Sequence, residues 1–154
     1  FAKKAGTLRR NFQGYTDDTS DVLIGVGASS ISKFPQGYAQ NAPATSAHTG
    51  AIRDGRFSTA RGHVFSEDDR LRARMIEALM CDFRIDLADI TNRFGVAQTQ
   101  VMQMLDGIAT QFPDMVSVDE TGLFVPPKAR ALTRMMARSL DAYDLSKAGH
   151  SSAI

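Results

Sequence analysis

Chemistry in this chain is concentrated near its beginning, in Arg10-Asn-Phe-Gln-Gly-Tyr-Thr and the stretch that follows it. Asn11, Phe12, Gln13 and Tyr15 group amide and aromatic side chains around Gly14, a composition suited to gripping a planar or polar ligand. None of them is an obvious acid–base catalyst, so the pattern points to binding and names no catalytic residue. Gly25 and Gly27 remove side chains two positions apart, which marks the close passage of a ligand or another backbone. A dinucleotide fingerprint is excluded, because Pro35 and Gly37 would stop the helix that must follow such glycines. Cys81 is the sole cysteine, so no disulfide forms within the chain and cysteines alone hold no iron–sulfur cluster here. His48, His63 and His150 lack metal-ligand spacing, and no metal site is expected.

The element that must position the glycines reads as a strand over Asp21 to Ile31, apolar, β-branched and of the kind buried on both faces. Such a strand needs neighbours that the preceding residues do not supply. Together with an opening Phe1, this reads as the late part of a longer protein. Residues 1 to 9 read as a helix end and exit loop with a basic, solvated face. From Ser32 to Gly62 the recurring Pro, Gly, Ser and Thr predict loop and connector, with one short helix between Ala44 and Arg53.

A second unit is predicted from His63. Ser66 ahead of Glu67, Asp68 and Asp69 is a helix start, and Leu71, Met75, Leu79 and Phe83 give that helix one apolar stripe, flanked by Ile76 and Met80. Cys81 lies inside it as a small buried hydrophobe. Asp86 caps a shorter helix carrying Leu87, Ile90 and Phe94 and ended by Gly95. A third helix, Gln98 to Phe112, turns Val101, Leu105, Ile108 and Phe112 inward. Met115 to Val125 then reads as a hairpin around Gly122, and Pro126 and Pro127 open a last helix with Leu132, Met135, Met136, Leu140 and Tyr143 as its stripe. That order is winged-helix-like. The fold class is therefore mainly α with a small β component, a winged-helix-like domain over 63–154 preceded over 1–62 by strand and linker.

A winged helix raises the question of DNA, and the charges argue against it. The helix in the recognition position has no Lys or Arg, and the wing carries Asp119 and Glu120. Duplex binding needs cations against phosphate. With 23% charged residues and a net charge of +1, the whole chain offers no bulk attraction to nucleic acid or acidic membrane. No apolar run is long enough to span a bilayer and no signal-peptide pattern opens the chain, so a cytoplasmic location is expected.

Three blocks, Asn11-Phe-Gln-Gly-Tyr-Thr, Gly25-Val-Gly-Ala-Ser-Ser-Ile and Tyr38-Ala-Gln-Asn, resemble in order and spacing the last third of the oxygen-independent coproporphyrinogen III oxidases. These are radical S-adenosylmethionine enzymes of haem synthesis. The resemblance implies that residues 1–62 end a catalytic α/β barrel and its linker, with the rest of the barrel upstream as the partner of this chain. It implies an enzyme that uses S-adenosylmethionine and a 4Fe–4S cluster to convert two propionates of coproporphyrinogen III into vinyls. The product is protoporphyrinogen IX. The cluster motif, Cys-x-x-x-Cys-x-x-Cys, would lie upstream, leaving this piece inactive alone. By motif position Ile31 would pack on S-adenosylmethionine, and Phe12 and Gln13 would contact a cofactor molecule. Arg10 would approach the substrate carboxylates, which suits a guanidinium. Asp17 and Asp18 stand where the family often has Thr and Gln, and the Ser151–Ile154 tail lacks the family's usual basic residue. A winged-helix nucleic-acid or protein binding module, or a haem-handling relative, are the alternatives.

Overall fold

The computed structural model describes residues 1–11 and 14–142. Contacts divide the chain between Asp69 and Arg70 into two units, each with its own small sheets. Phe12, Gln13, Tyr143, His150 and the Ser151–Ile154 tail lie outside the described residues.

The first unit opens with a single helical turn, α1 (Ala2–Ala5), followed by the antiparallel pair β1 (Arg9–Asn11) and β2 (Gly14–Thr16). Beyond β2, Asp18 accepts the Ser20 amide at 2.8 Å, and this bond with the Ser20 side chain holds its carboxyl below the usual aspartate range. Strands β3 (Ile31–Phe34) and β4 (Gly37–Asn41) form a hairpin, α2 (Thr45–Arg53) follows, and β5 (Thr59–Val64) returns along β4. The sheet order is β3-β4-β5, antiparallel throughout. His48 on α2 meets Ser58 at 2.6 Å, tying the helix to the start of β5. Tyr38 packs edge-on against Phe65 with ring centroids 4.6 Å apart, and burial pushes its hydroxyl pKa up.

Two expectations are corrected here. The stretch Asp21 to Ser30 is not a strand buried on both faces. Its contribution to the sheet is one antiparallel bridge, Leu23 with Lys33, and Val22, Ile24 and Val26 are 45%, 61% and 89% exposed. Gly27 and Ser29 take positive φ values of 103° and 64°, conformations that bend the chain out of extension and make the apolar run a turn. Conversely, Ser32 to Gly62 is not mainly connector. It holds β3, β4 and most of β5, whose Gly and Pro residues sit at strand ends and close approaches; the expected short helix is there as α2.

The second unit is built on α3 (Glu67–Asp82). Ser66 and Asp69 cap it reciprocally: the Asp69 amide donates to Ser66 Oγ at 3.1 Å and the Ser66 amide to Asp69 Oδ2 at 2.8 Å. Strand β6 (Arg84–Asp86) follows, then α4 (Leu87–Phe94), α5 (Gln98–Gln111), β7 (Ser117–Asp119) and β8 (Gly122–Phe124). Asp86 caps α4 through the Asp89 amide, and Gly95 ends it at φ 64°. The sheet order β6-β8-β7 places the last strand between the other two. Gly122 makes this possible, since a Cβ there would collide with the Ile85 carbonyl oxygen across the β6–β8 pair. The β7–β8 turn is fastened by Asp119, which accepts from the Thr121 hydroxyl at 2.7 Å and amide at 2.8 Å; those bonds lower its pKa.

Leu71, Met75 and Leu79 of α3, Ile85, Ile90, Val101, Leu105, Ile108, Leu123 and Met136 form the core, each 2% exposed or less. Cys81 is buried at 1% exposure. Three details depart from expectation. Phe83 lies past the end of α3 at φ 59°, half-buried, with the Arg130 guanidinium 4.5 Å over its ring. Strand β6 is too short to show in the sequence pattern. The last helix is broken into a 3-10 turn, Pro127–Leu132, and α6 (Thr133–Ser139), which rotates Met135 outward to 59% exposure while Ala129, Met136 and Leu140 stay inside. Leu105→Ala should accordingly cost about 2–5 kcal/mol in urea unfolding. Met135→Ala, at an exposed position, should stay within about 0.5 kcal/mol.

Candidate cofactor-facing site

Of the binding candidates that the sequence offers, Ile31 lies beside the glycine-rich stretch at Gly25, and the structure gives that region a definite construction. The chain from Leu23 leaves the sheet, turns through Gly25–Ser30 and re-enters it as β3 at Ile31. Gly25 lies against the outgoing backbone: a Cβ there would stand 2.7 Å from the Ile31 carbonyl oxygen and 2.8 Å from Ser30 Cβ. Any side chain would push the two limbs of the turn apart. The Gly25 amide donates to Ser32 Oγ at 3.0 Å, and Ser30 Oγ, 2.7 Å from the Val26 carbonyl and 2.8 Å from that of Gly27, donates back into the turn.

The end of β4 supplies the remaining fastenings. Asn41 Nδ2 lies 2.9 Å from the Gly27 carbonyl and 3.4 Å from that of Gly25, while Gln40 Nε2 donates to the Ser29 carbonyl at 2.9 Å. Gln40 Oε1 in turn accepts from Arg61 Nε at 2.6 Å. Backbone bonds run alongside, from Ser29 to the Ala42 carbonyl and from Asn41 to that of Ser30, both at 3.0 Å. Consecutive strand residues ordinarily point to opposite faces. Here the register shifts between Gln40 and Asn41, which pair with Arg61 and Thr59 and leave Ala60 extra on β5. Both amides nonetheless reach the same turn.

Ile31, the first residue of β3, is half-buried and pairs with Gln40. Arg10 is exposed on β1, opposite Tyr15 of β2, and so stands on a different sheet from Ile31. Phe12 and Gln13 fall outside the described residues. Sequence reasoning used Gln40 and Asn41 only as a motif and gave them no role. The available signal was their position, two successive amides at the end of a strand that follows a glycine-rich turn.

Fit to the groups that the resemblance implies can be judged from these residues. A half-buried aliphatic at a strand start, beside a backbone cleared of side chains at Gly25, suits one wall of a site for an adenosyl or methionyl group. For the iron–sulfur cluster, among the described residues no group of three or more His, Cys, Asp or Glu could hold a metal ion. His63 Nε2 faces Asp69 Oδ2 at 3.2 Å, and Cys81 sits in the core of the second unit. This chain fits as a contributor to the S-adenosylmethionine side and offers the cluster no ligand set among those residues. No described helix is long and apolar enough to cross a membrane.

Residues 65–132 match the HemN C-terminal domain. Over nearly its whole length the chain is similar to the C-terminal part of oxygen-independent coproporphyrinogen III oxidases. It is 60% identical over 153 residues to that of Paracoccus denitrificans and 33% identical over 151 residues to that of Escherichia coli K12, covering 99% and 96% of this chain. The solved structure described as coproporphyrinogen III oxidase (HemN) from Escherichia coli, a radical SAM enzyme, superposes with a TM-score of 0.82 at 31% identity, over 93% of this chain and 33% of that one. The chain spans about a third of the length of the curated relatives it matches.

Because Gly25 touches the backbone of Ile31, Gly25→Ala should open the turn. Amide hydrogen exchange over residues 25–32 should rise by roughly tenfold or more, with residues 98–111 unchanged.

Proposed function

We propose that this chain is the C-terminal part of an anaerobic coproporphyrinogen III oxidase, which decarboxylates two propionates of coproporphyrinogen III to vinyl groups and yields protoporphyrinogen IX. The observation that carries this reading is the 60% identity to a named oxidase over 99% of the chain, the Gly25–Ile31 turn included. Each propionate loses carbon dioxide, one hydrogen atom and one electron. S-adenosylmethionine with a 4Fe–4S cluster, when bound, supplies the hydrogen abstraction. Cluster ligands and most of the barrel belong to the partner of this chain, the upstream domain of the same polypeptide, and the reaction runs in the cytoplasm.

In this reading the residues of the chain bind and orient. Ile31 packs on S-adenosylmethionine, its place fixed by the turn that Gly25 closes. Phe12 and Gln13 contact a cofactor molecule. Arg10, exposed on β1, engages a substrate carboxylate by paired N–H donors. None of the four is an acid–base catalyst.

Residues 1–62 would end the barrel and link it to a winged-helix-like domain over 63–154. Support for the winged helix comes from the order α3, β6, α4, α5, β7, β8 with β8 central in its sheet. This domain is assigned to covering the barrel, and not to nucleic acid. Its α5 carries no Lys or Arg, and the β7–β8 turn presents Asp119 and Glu120.

The test uses the full-length protein, reconstituted without oxygen and given coproporphyrinogen III. Protoporphyrinogen IX and 5′-deoxyadenosine should form, and Ile31→Asp should raise the KM for S-adenosylmethionine at least tenfold with the cluster spectrum intact. Cofactor cleavage with the porphyrinogen left untouched would instead mean a relative with another substrate, such as haem. A full-length protein that assembles no cluster would contradict the enzyme reading.

A further inference from the structure

Asn41 stands out among the polar residues of the first unit because its backbone and its side chain both reach the Gly25–Ser30 turn. The Asn41 amide donates to the Ser30 carbonyl at 3.0 Å, and its Cα pairs with Thr59. Its carboxamide is committed elsewhere, to the carbonyls of Gly25 and Gly27. Those carbonyls lie in the irregular part of the turn, outside any strand, where the sheet ladder supplies no donor. Ser30 Oγ answers the Gly27 carbonyl from within the turn, at 2.8 Å, and the two N–H groups of the Asn41 side chain reach that carbonyl and the one at Gly25 from outside it. Gln40 repeats the arrangement one position away, on Ser29, and is itself held by Arg61. The extra residue of the β4–β5 bulge, Ala60, lies on β5 opposite the step from Gln40 to Asn41.

The consequence concerns Ile31. The turn closes where Gly25 meets the Ile31 carbonyl, so whatever holds Gly25 and Gly27 in place also sets the backbone at which β3 begins. We propose that Asn41 is a positioning residue for cofactor binding: its carboxamide, seconded by Gln40, holds the Gly25–Ser30 turn closed and thereby fixes Ile31 against S-adenosylmethionine without touching it. The proposal rests on the reading that Ile31 meets this cofactor. It adds the residues of β4 through which the sheet controls that contact.

Asn41→Ala removes the donors, and Asn41→Asp, of nearly the same shape, sets a carboxylate oxygen against two carbonyl oxygens. Both are made in the full-length, cluster-loaded protein and compared with Ile31→Asp. Amide exchange over residues 25–32 should quicken about tenfold in Asn41→Ala and further in Asn41→Asp, as loss of hydrogen bonds to buried acceptors implies. The KM for S-adenosylmethionine should rise roughly fivefold to tenfold while kcat stays within about twofold, the signature of lost binding with the chemistry intact. Should Asn41→Asp fail to fold, Asn41→Ala alone decides the matter. Unchanged exchange over 25–32 would overturn the proposal. So would faster exchange with an unaltered KM in a protein where Ile31→Asp does raise it, because the turn would then not govern the contact. If Ile31→Asp leaves the KM unaltered as well, the cofactor reading itself is wrong and the proposal falls with it.

Discussion

The first unit depends on one close approach, that of Gly25 to the backbone of Ile31. With no Cβ in the way, the chain leaves the sheet after Leu23 and re-enters it at Ile31 within a few residues, close enough for the Gly25 amide to reach Ser32 Oγ. Everything around it follows from satisfying the polar groups such a tight reversal exposes. Ser30 and Ser32 answer some of them locally, and Asn41 and Gln40 answer others from β4. A turn built this way has its shape set by the sheet beneath it, which is how a loop can present a side chain at a reproducible place.

The second unit works on a different principle. It has an ordinary apolar core, gathered from α3, α4, α5, the last helix and a three-stranded sheet, with caps, the β7–β8 turn and ion pairs such as Arg74–Asp89 supplying its polar contacts. Its acidic turn and cation-free α5 leave it without the electrostatics of a duplex reader, and its match to the HemN C-terminal domain agrees with a role inside a larger enzyme.

How legible this was in the sequence differed between the units for a physical reason. Helices α3, α4 and α5 announce themselves through a 3.6-residue apolar period, and their caps at Ser66, Asp86 and Gly95 are local chemistry; all are where the pattern puts them. The last helix misled at Met135, because the switch from 3-10 to α geometry shifts the phase of the stripe. In the first unit the apolar run Val22 to Val26 imitates a buried strand, since composition carries no record of the positive φ at Gly27 and Ser29. Strands β3, β4 and β5 went unread because they are short and half-exposed or exposed, and β5 pairs with β4 only across the intervening α2. The candidate site was legible as a set of motifs: Ile31 came from the family resemblance, whereas the work of Asn41 lies in side-chain bonds to Gly25 and Gly27, 16 and 14 residues back in the chain, which no local pattern reveals.

We propose that the Gly25–Ile31 turn forms part of the S-adenosylmethionine site. Hydrogen exchange on the full-length, cluster-loaded protein, with and without S-adenosylmethionine, tests it most directly. Saturating cofactor should slow exchange over residues 25–32 several-fold and leave α5 untouched, as ligand binding to a folded site requires. Equal exchange over 25–32 in both conditions, in a protein shown to bind the cofactor, would contradict the claim.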